Sequence, residues 1–131
     1  MKPLRVLVVD DEPMMIEIAE GLLTASGFEV LTASDGARAL ALATEERPDI
    51  VLLDVMMPGI DGREVCRRIK TDPSLDGMKV VLNSALRERE VDWRDTGADG
   101  FREKNVELLG LPDYLRRIAG GDDPGSDPEA D

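Results

Sequence analysis

Residues 50–62 read IVLLDVMMPGIDG, and this stretch decides the fold. Ile50, Val51, Leu52 and Leu53 run without a polar break into Asp54. A strand with one wet face would alternate, so an unbroken apolar run predicts a strand covered on both faces, as in a parallel sheet flanked by helices. The run delivers one carboxylate to the strand's C-terminal tip, the edge at which open parallel sheets bind ligands. Met57-Pro58-Gly59 then breaks the chain, and Asp61-Gly62 opens the next element. Taken alone, Asp54 could equally cap the following helix, so its meaning depends on what else converges on it.

Outward from this strand the chain alternates between two periodicities. Upstream, Leu4 to Val9 is an apolar, partly β-branched run ended by Asp10-Asp11-Glu12. Pro13 suits a first helical turn, with Met15, Ile18, Ala19 and Leu22 on one face and Gly27 as the stop. Phe28 to Ala33 is a second strand, and Asp35 can N-cap a helix whose face is Ala37, Leu40, Ala41 and Thr44 before Pro48. Downstream of Asp54, a helix from Gly62 turns Val65, Cys66 and Ile69 inward and leaves Arg63, Arg67, Arg68 and Lys70 in water. Met78 to Leu82 is the fourth strand, closing on Asn83-Ser84-Ala85. The segment from Arg87 to Asp95 has only Val91 and Trp93 as apolar anchors, which predicts a short or irregular helix. A brief fifth strand follows Gly97-Ala98-Asp99-Gly100 and ends near Lys104, and a last helix runs from Pro112 or Asp113 to Ala119.

Strands separated each time by one helix-sized segment imply parallel βαβ units with right-handed crossovers. Their C-terminal ends share one edge. That edge collects Asp10 and Asp11, Asp54, Ser84 and Lys104. Three carboxylates together repel unless a cation or proton offsets them, and a hard divalent ion with oxygen ligands answers that need. A hydroxyl and an ammonium beside the ion suit an anion with several oxygens, which points to phosphate.

Composition bounds the rest. With 131 residues, one domain with one sizeable core is expected. A net charge of −12 argues against nucleic-acid or anionic-membrane binding by the whole surface. Residues 120–131 hold five acids, no basic residue and several Gly and Pro, the composition of a disordered tail or the start of a linker, which leaves 1–119 as the folded domain. The single cysteine, Cys66, forbids an intrachain disulfide and fits a reducing cytoplasm. The run Val6 to Val9 is too short for a signal-peptide core or a membrane span.

With these residues in hand, the chain resembles a receiver domain of a two-component response regulator over residues 4–119. The carrying motifs are Val8 to Glu12, Leu53 to Gly62, Ser84-Ala85, Gly97-Ala98-Asp99 and Lys104, all in order. The resemblance implies a flavodoxin-like α/β fold, a five-stranded parallel doubly wound sheet in order 2-1-3-4-5. It implies that Asp54 takes a phosphoryl group from a histidine kinase or phosphotransfer protein, making the domain a phosphorylation-controlled signalling switch. Mg²⁺ would be held by Asp10 or Asp11, Asp54 and the Met56 carbonyl. Lys104 would pair with a phosphoryl oxygen, Ser84 would move to bond another, and Phe101 occupies the family's aromatic switch position, with a core aromatic as its alternative reading. Met56 also lies where side chains influence slow autodephosphorylation.

Three departures cluster on the Lys104 side. Asn105 stands where the family has proline after the lysine, and Asn83 puts an amide at the end of a strand that is usually apolar. The fourth helical segment is highly charged and the fifth is delayed, which implies an output face of its own, with the usual dimer not assumed. Two other readings stand beside the switch: an interaction module of the same fold that signals without phosphorylation, and an aspartyl-phosphate phosphatase. The second needs another Asp two residues after the nucleophile, where Met56 stands. Nucleotide binding has no Gly-rich loop after the first strand to support it.

Overall fold

The computed structural model describes residues 2–85, 92–104 and 108–121 and the backbone of 125–126. Its elements in chain order are β1 (Arg5–Val9), α1 (Pro13–Ala25), β2 (Glu29–Ala33), α2 (Gly36–Glu46), β3 (Ile50–Asp54), α3 (Gly62–Thr71), β4 (Lys79–Ser84), β5 (Gly100–Glu103), α4 (Leu111–Ala119) and β6 (Gly125–Ser126). Every strand pairing is parallel, in the order β2-β1-β3-β4-β5-β6. The first five strands follow the 2-1-3-4-5 order the sequence implied. The sixth is a two-residue addition in which Gly125 and Ser126 lie beside Gly100 and Phe101. It uses backbone groups that the edge of β5 would otherwise present to water. The tail from 120 was expected to be disordered or linker; Gly120 and Gly121 close α4 with backbone bonds to Arg116 and Ile118, and residues 122–124 and 127–131 lie outside the described ones.

Alternation along the strands sorts the core into two layers. Leu7, Val9, Val51, Leu53, Val80, Leu82 and Phe101 face α2 and α3. Val6, Val8, Ile50, Leu52 and Val81 face α1 and α4. Each residue of β3 is buried, as its unbroken apolar run requires.

The helices form where local chemistry starts and stops them, although two turn differently from the expected faces. Asp35 caps α2 by accepting from the Arg38 N–H at 2.8 Å, and Asp61 caps α3 by accepting from the Arg63 N–H at 2.7 Å. In α1 the buried residues are Ala19 and Leu23, while Ile18, expected inward, is exposed. In α2 the buried face is Gly36, Ala39, Leu42 and Ala43, not the stripe through Ala37 and Thr44. Both short patterns, one rich in Met, Ile and Leu and the other in Ala, allow neighbouring stripes, and packing against the sheet selects one. The α3 reading holds for Val65, Cys66 and Ile69, which are buried. Lys70 is not left in water: it donates to the Met78 carbonyl at 3.1 Å and to Asp99 Oδ2 at 2.9 Å. Asp99 also accepts from the Val80 N–H at 2.8 Å, so this pair clamps α3 to the start of β4.

β4 extends to Ser84, two residues beyond the expected end, which draws Asn83 and Ser84 into the ladder. Between β4 and β5 the described structure is a short 3-10 turn at Arg94–Thr96. The helix expected near Arg87 falls mostly on residues 86–91, which lie outside the described ones.

Candidate functional site

The C-terminal ends of β1 and β3 deliver the acids. Asp10 follows Val9 at the end of β1, and its N–H extends the ladder by bonding the Ala33 carbonyl at 3.2 Å. Asp54 ends β3. Both are nearly enclosed, 3% and 4% exposed. By alternation from Val8 and Leu52 they face the α1/α4 side.

The turn after Asp54 is held by a close approach. Gly62, the first residue of α3, donates its N–H to the Val55 carbonyl at 2.9 Å. A Cβ added at Gly62 would stand 2.0 Å from the Asp54 carbonyl oxygen. Only glycine permits the helix to start against the strand tip there.

Lys104 joins the two acids. Its Nζ lies 2.7 Å from Asp10 Oδ2, 3.2 Å from Asp54 Oδ2 and 3.7 Å from Glu12 Oε1. Asn105, whose departure from proline put this placement in question, lies outside the described residues, yet the lysine reaches the acids. Its backbone N–H bonds the Ser84 carbonyl at 2.7 Å, tying the end of β5 to the end of β4. Ser84 is fully buried and in register with Glu103.

Burial pushes the Asp54 carboxyl up, to about 6. The Lys104 charge opposes that rise, the Asp10 charge adds to it, and the Met56 N–H, 3.3 Å from Asp54 Oδ1, favours the ionised form. For Lys104, burial acts to lower the pKa, but the hydrogen bond to Asp10 and the charges of Asp54 and Asp10 outweigh it and raise the group. The site therefore holds a firmly protonated ammonium against a carboxyl that ionises near neutrality.

The carboxylates of Asp10, Asp11 and Glu12 offer oxygens within 4.8 Å of one another, Asp10 buried and the other two exposed. Asp54 meets Asp10 through the shared ammonium. Such an all-oxygen, anionic donor set fits a small hard cation such as Mg²⁺. The ligand group the resemblance implied was Asp10, Asp11, Asp54 and the Met56 carbonyl; the structure also brings a Glu12 oxygen to the Asp10–Asp11 cluster.

The remaining named residues lie further out. The Met56 side chain is exposed. Phe101 is fully buried on the opposite face of the sheet, its ring 5.7 Å from that of Trp93 at an interplanar angle of 30°. Cys66 is buried, its thiol pushed up to about 11 by burial, which makes it an inert core residue. Two polar residues stand where apolar ones are usual for a covered strand. Asn83 is in register with Asp54, and Arg102 with Asn83, both buried.

Comparison with known proteins places this geometry. Residues 6–116 match the family described as the response regulator receiver domain. Response regulator PleD of Caulobacter vibrioides is 47% identical over 116 residues, covering 87% of this chain and 26% of that protein. Response regulator MprA of a Mycobacterium species is 37% identical over 129 residues, 98% of this chain and 56% of that protein. The chain thus spans from about a quarter to somewhat over half of these relatives. Chemotaxis response regulator CheY4 of Vibrio cholerae superposes with a TM-score of 0.82 at 28% identity, over 88% of this chain and 98% of that one. Among the described residues no helix is long and apolar enough to cross a membrane.

Proposed function

Since the chain belongs to the response regulator receiver domains, we propose that Asp54 is its phosphoacceptor, charged by the phosphohistidine of a histidine kinase or phosphotransfer protein. The observation that carries this reading is the meeting of Asp10, Asp54 and Lys104 at one strand edge, two enclosed acids sharing one ammonium.

In the transfer, an Asp54 Oδ forms a bond to phosphorus as the phosphorus–imidazole bond breaks, and the electron pair of that bond returns to the imidazole nitrogen. Asp54 must be ionised to attack, and a carboxyl at about 6 is ionised at neutral pH. Asp10, Asp11, Glu12 and Asp54 would hold Mg²⁺, which when bound neutralises charge on the transferring group. Lys104 supplies a fixed positive charge for the phosphoryl oxygens, and Ser84 a hydroxyl at the end of the adjacent strand. Burial of Asp10 and Asp54 excludes water and strengthens these interactions. Phe101, buried against Trp93, is the proposed aromatic that reads the change, and Met56, exposed beside the acceptor, the side chain that modulates hydrolysis. The kinase-facing and output partners belong to the whole protein, with a cytoplasmic location proposed for it.

Intact-mass measurement after incubation with Mg²⁺ and a small phosphodonor tests the reading. One phosphate-sized increment is expected on the native chain and none on Asp54→Asn. An unmodified native chain, both with the small donor and with a cognate kinase, would sink it.

A further inference from the structure

We propose that Asn83 is a positioning residue of this site, whose carboxamide oxygen receives the Lys104 ammonium when Asp54 becomes phosphorylated; the inference rests on the phosphoacceptor reading above. Strand order supplies the first step. β4 lies between β3 and β5. Lys104 follows β5, yet its ammonium reaches Asp54 at the end of β3 and Asp10 at the end of β1. Its stem therefore has to cross β4. The β4 residue in register with Asp54 is Asn83, and by alternation from Val81 it points to the same side of the sheet as Asp54.

The second step is an unmet hydrogen bond. Asn83 is 7% exposed, and its Oδ1 is enclosed with no hydrogen-bond partner among the described residues. Earlier along the strand the covered positions are Val80, Val81 and Leu82, the residue type usual for such a strand, whereas Asn83 precedes Ser84 and lies in register between Asp54 and Arg102. An enclosed acceptor without a donor carries a desolvation cost that a leucine would not, and an unsatisfied group of this kind in a native fold calls for a reason.

The third step is what phosphorylation does to Lys104. In the structure the ammonium spends its donors on Asp10 and Asp54. Phosphorylation converts the Asp54 carboxylate into an acyl phosphate, which removes its negative charge as a partner for the ammonium, and any cation held by Asp10 sets a like charge against Nζ. Lys104 then has to withdraw along its own stem, back over β4. Asn83 Oδ1 offers it an oxygen there, leaving the other ammonium protons for the phosphoryl group. The interaction is made in the phosphorylated state and not in the resting one, which is the condition for it to favour phosphorylation rather than to stabilise both states alike.

A double-mutant cycle tests this, using Mg²⁺ with beryllofluoride as the phosphoryl mimic and calorimetry as the readout. Asn83→Leu, Lys104→Ala and the double variant are compared with the native chain, and thermal unfolding is recorded without ligand. Asn83→Leu is expected to melt above the native chain yet bind the mimic about tenfold more weakly, and to add no further loss when Lys104 is already alanine. Native-like affinity in Asn83→Leu, or the same loss with and without Lys104, would overturn the proposal. Asn83→Val provides the same comparison should the leucine variant fail to fold. A native chain that takes up neither the mimic nor phosphate overturns the phosphoacceptor reading and this proposal with it, whereas uptake with an uncoupled Asn83 overturns this proposal alone.

Discussion

The two halves of the site are built on opposite terms. On the β1–β3 side, Asp10 follows and Asp54 ends strands whose other residues, apart from Arg5 at the start of β1, are apolar and buried in the core. On the β4–β5 side, Asn83, Ser84, Arg102 and Glu103 are themselves buried, so the strand tips are polar before any ligand arrives. The first half concentrates negative charge at fixed points. The second carries buried polar groups, one of which, Ser84, accepts the Lys104 backbone N–H on its carbonyl. Rigid apolar packing suits a group that must hold a nucleophile, and a costly polar interior suits one whose partners change with state.

Removing the link between the halves should have the largest effect. Lys104→Ala leaves Asp10 and Asp54 enclosed and facing each other without a counter-charge, the situation in which breaking a buried pair costs about 3 kcal/mol. Thermal unfolding should show a clear loss of stability, with Mg²⁺ restoring more in this variant than in the native chain. If the variant melts like the native chain, Lys104 does not hold the two sides together.

Next in size is Gly62→Ala. The added Cβ meets the Asp54 carbonyl oxygen at 2.0 Å, a backbone atom that cannot turn aside. Overpacking of this kind costs about 1–3 kcal/mol. Because α3 must retreat from the strand tip, slower labelling of Asp54 is expected together with the lower melting temperature. A loss of stability with native labelling would mean that this contact serves the fold alone.

Asp54→Asn acts in the opposite sense. At pH 7 the native chain carries an ionised carboxyl that burial holds near pKa 6, against a usual value of 3.8. Replacing it with a neutral amide should raise stability by about 2 kcal/mol while abolishing phosphate uptake. Denaturant midpoints measured without metal check the first half, and intact mass the second. A destabilised variant would show that the Lys104 pair outweighs the cost of burial.

The β1–β3 half was legible in the sequence because its signals are local: a short unbroken apolar run between Pro48 and the Met57-Pro58-Gly59 break reads as a covered strand, and a carboxylate at its end then emerges at the sheet edge. Asp10, Asp54 and Lys104 could be brought together by strand order alone. Helix facing was less legible, since Ala37, Leu40 and Ala41 form a stripe as acceptable as the one through Ala39, Leu42 and Ala43 that the sheet selects. Lys70 read as a solvated charge because nothing near it in sequence announces Asp99, its partner 29 residues away. That a Glu12 oxygen joins those of Asp10 and Asp11 was not legible either, since a third acid beside two others adds little to a pattern. The register of β4 is likewise nonlocal, and only it places Asn83 beside Asp54.

The smallest effect is the pH dependence of the metal-free chain, and its sign separates the halves most sharply. The folded pKa of Asp54 lies above its unfolded value, so the protonated form is the one folding favours, and the stability it supplies is lost as pH rises through about 6. Lowering the pH from 7 to 5 should therefore stabilise the native chain by about 1 kcal/mol through this group, against the usual direction for a carboxylate. Asp61 works the other way: despite partial burial, its hydrogen bonds to Arg63 hold it below the usual range, and its contribution fades only as pH falls further. Lys104, raised by its acidic neighbours, stays charged throughout. With Asp54 among the ligands, as proposed, Mg²⁺ would compete with its proton, and the thermal shift the ion produces should shrink across the same interval. Melting curves from pH 7 to 5, with and without Mg²⁺, on the native chain and Asp54→Asn, separate these contributions. If the acid-side gain persists in Asp54→Asn, the proton goes elsewhere and the enclosed carboxyl is not the group that sets it.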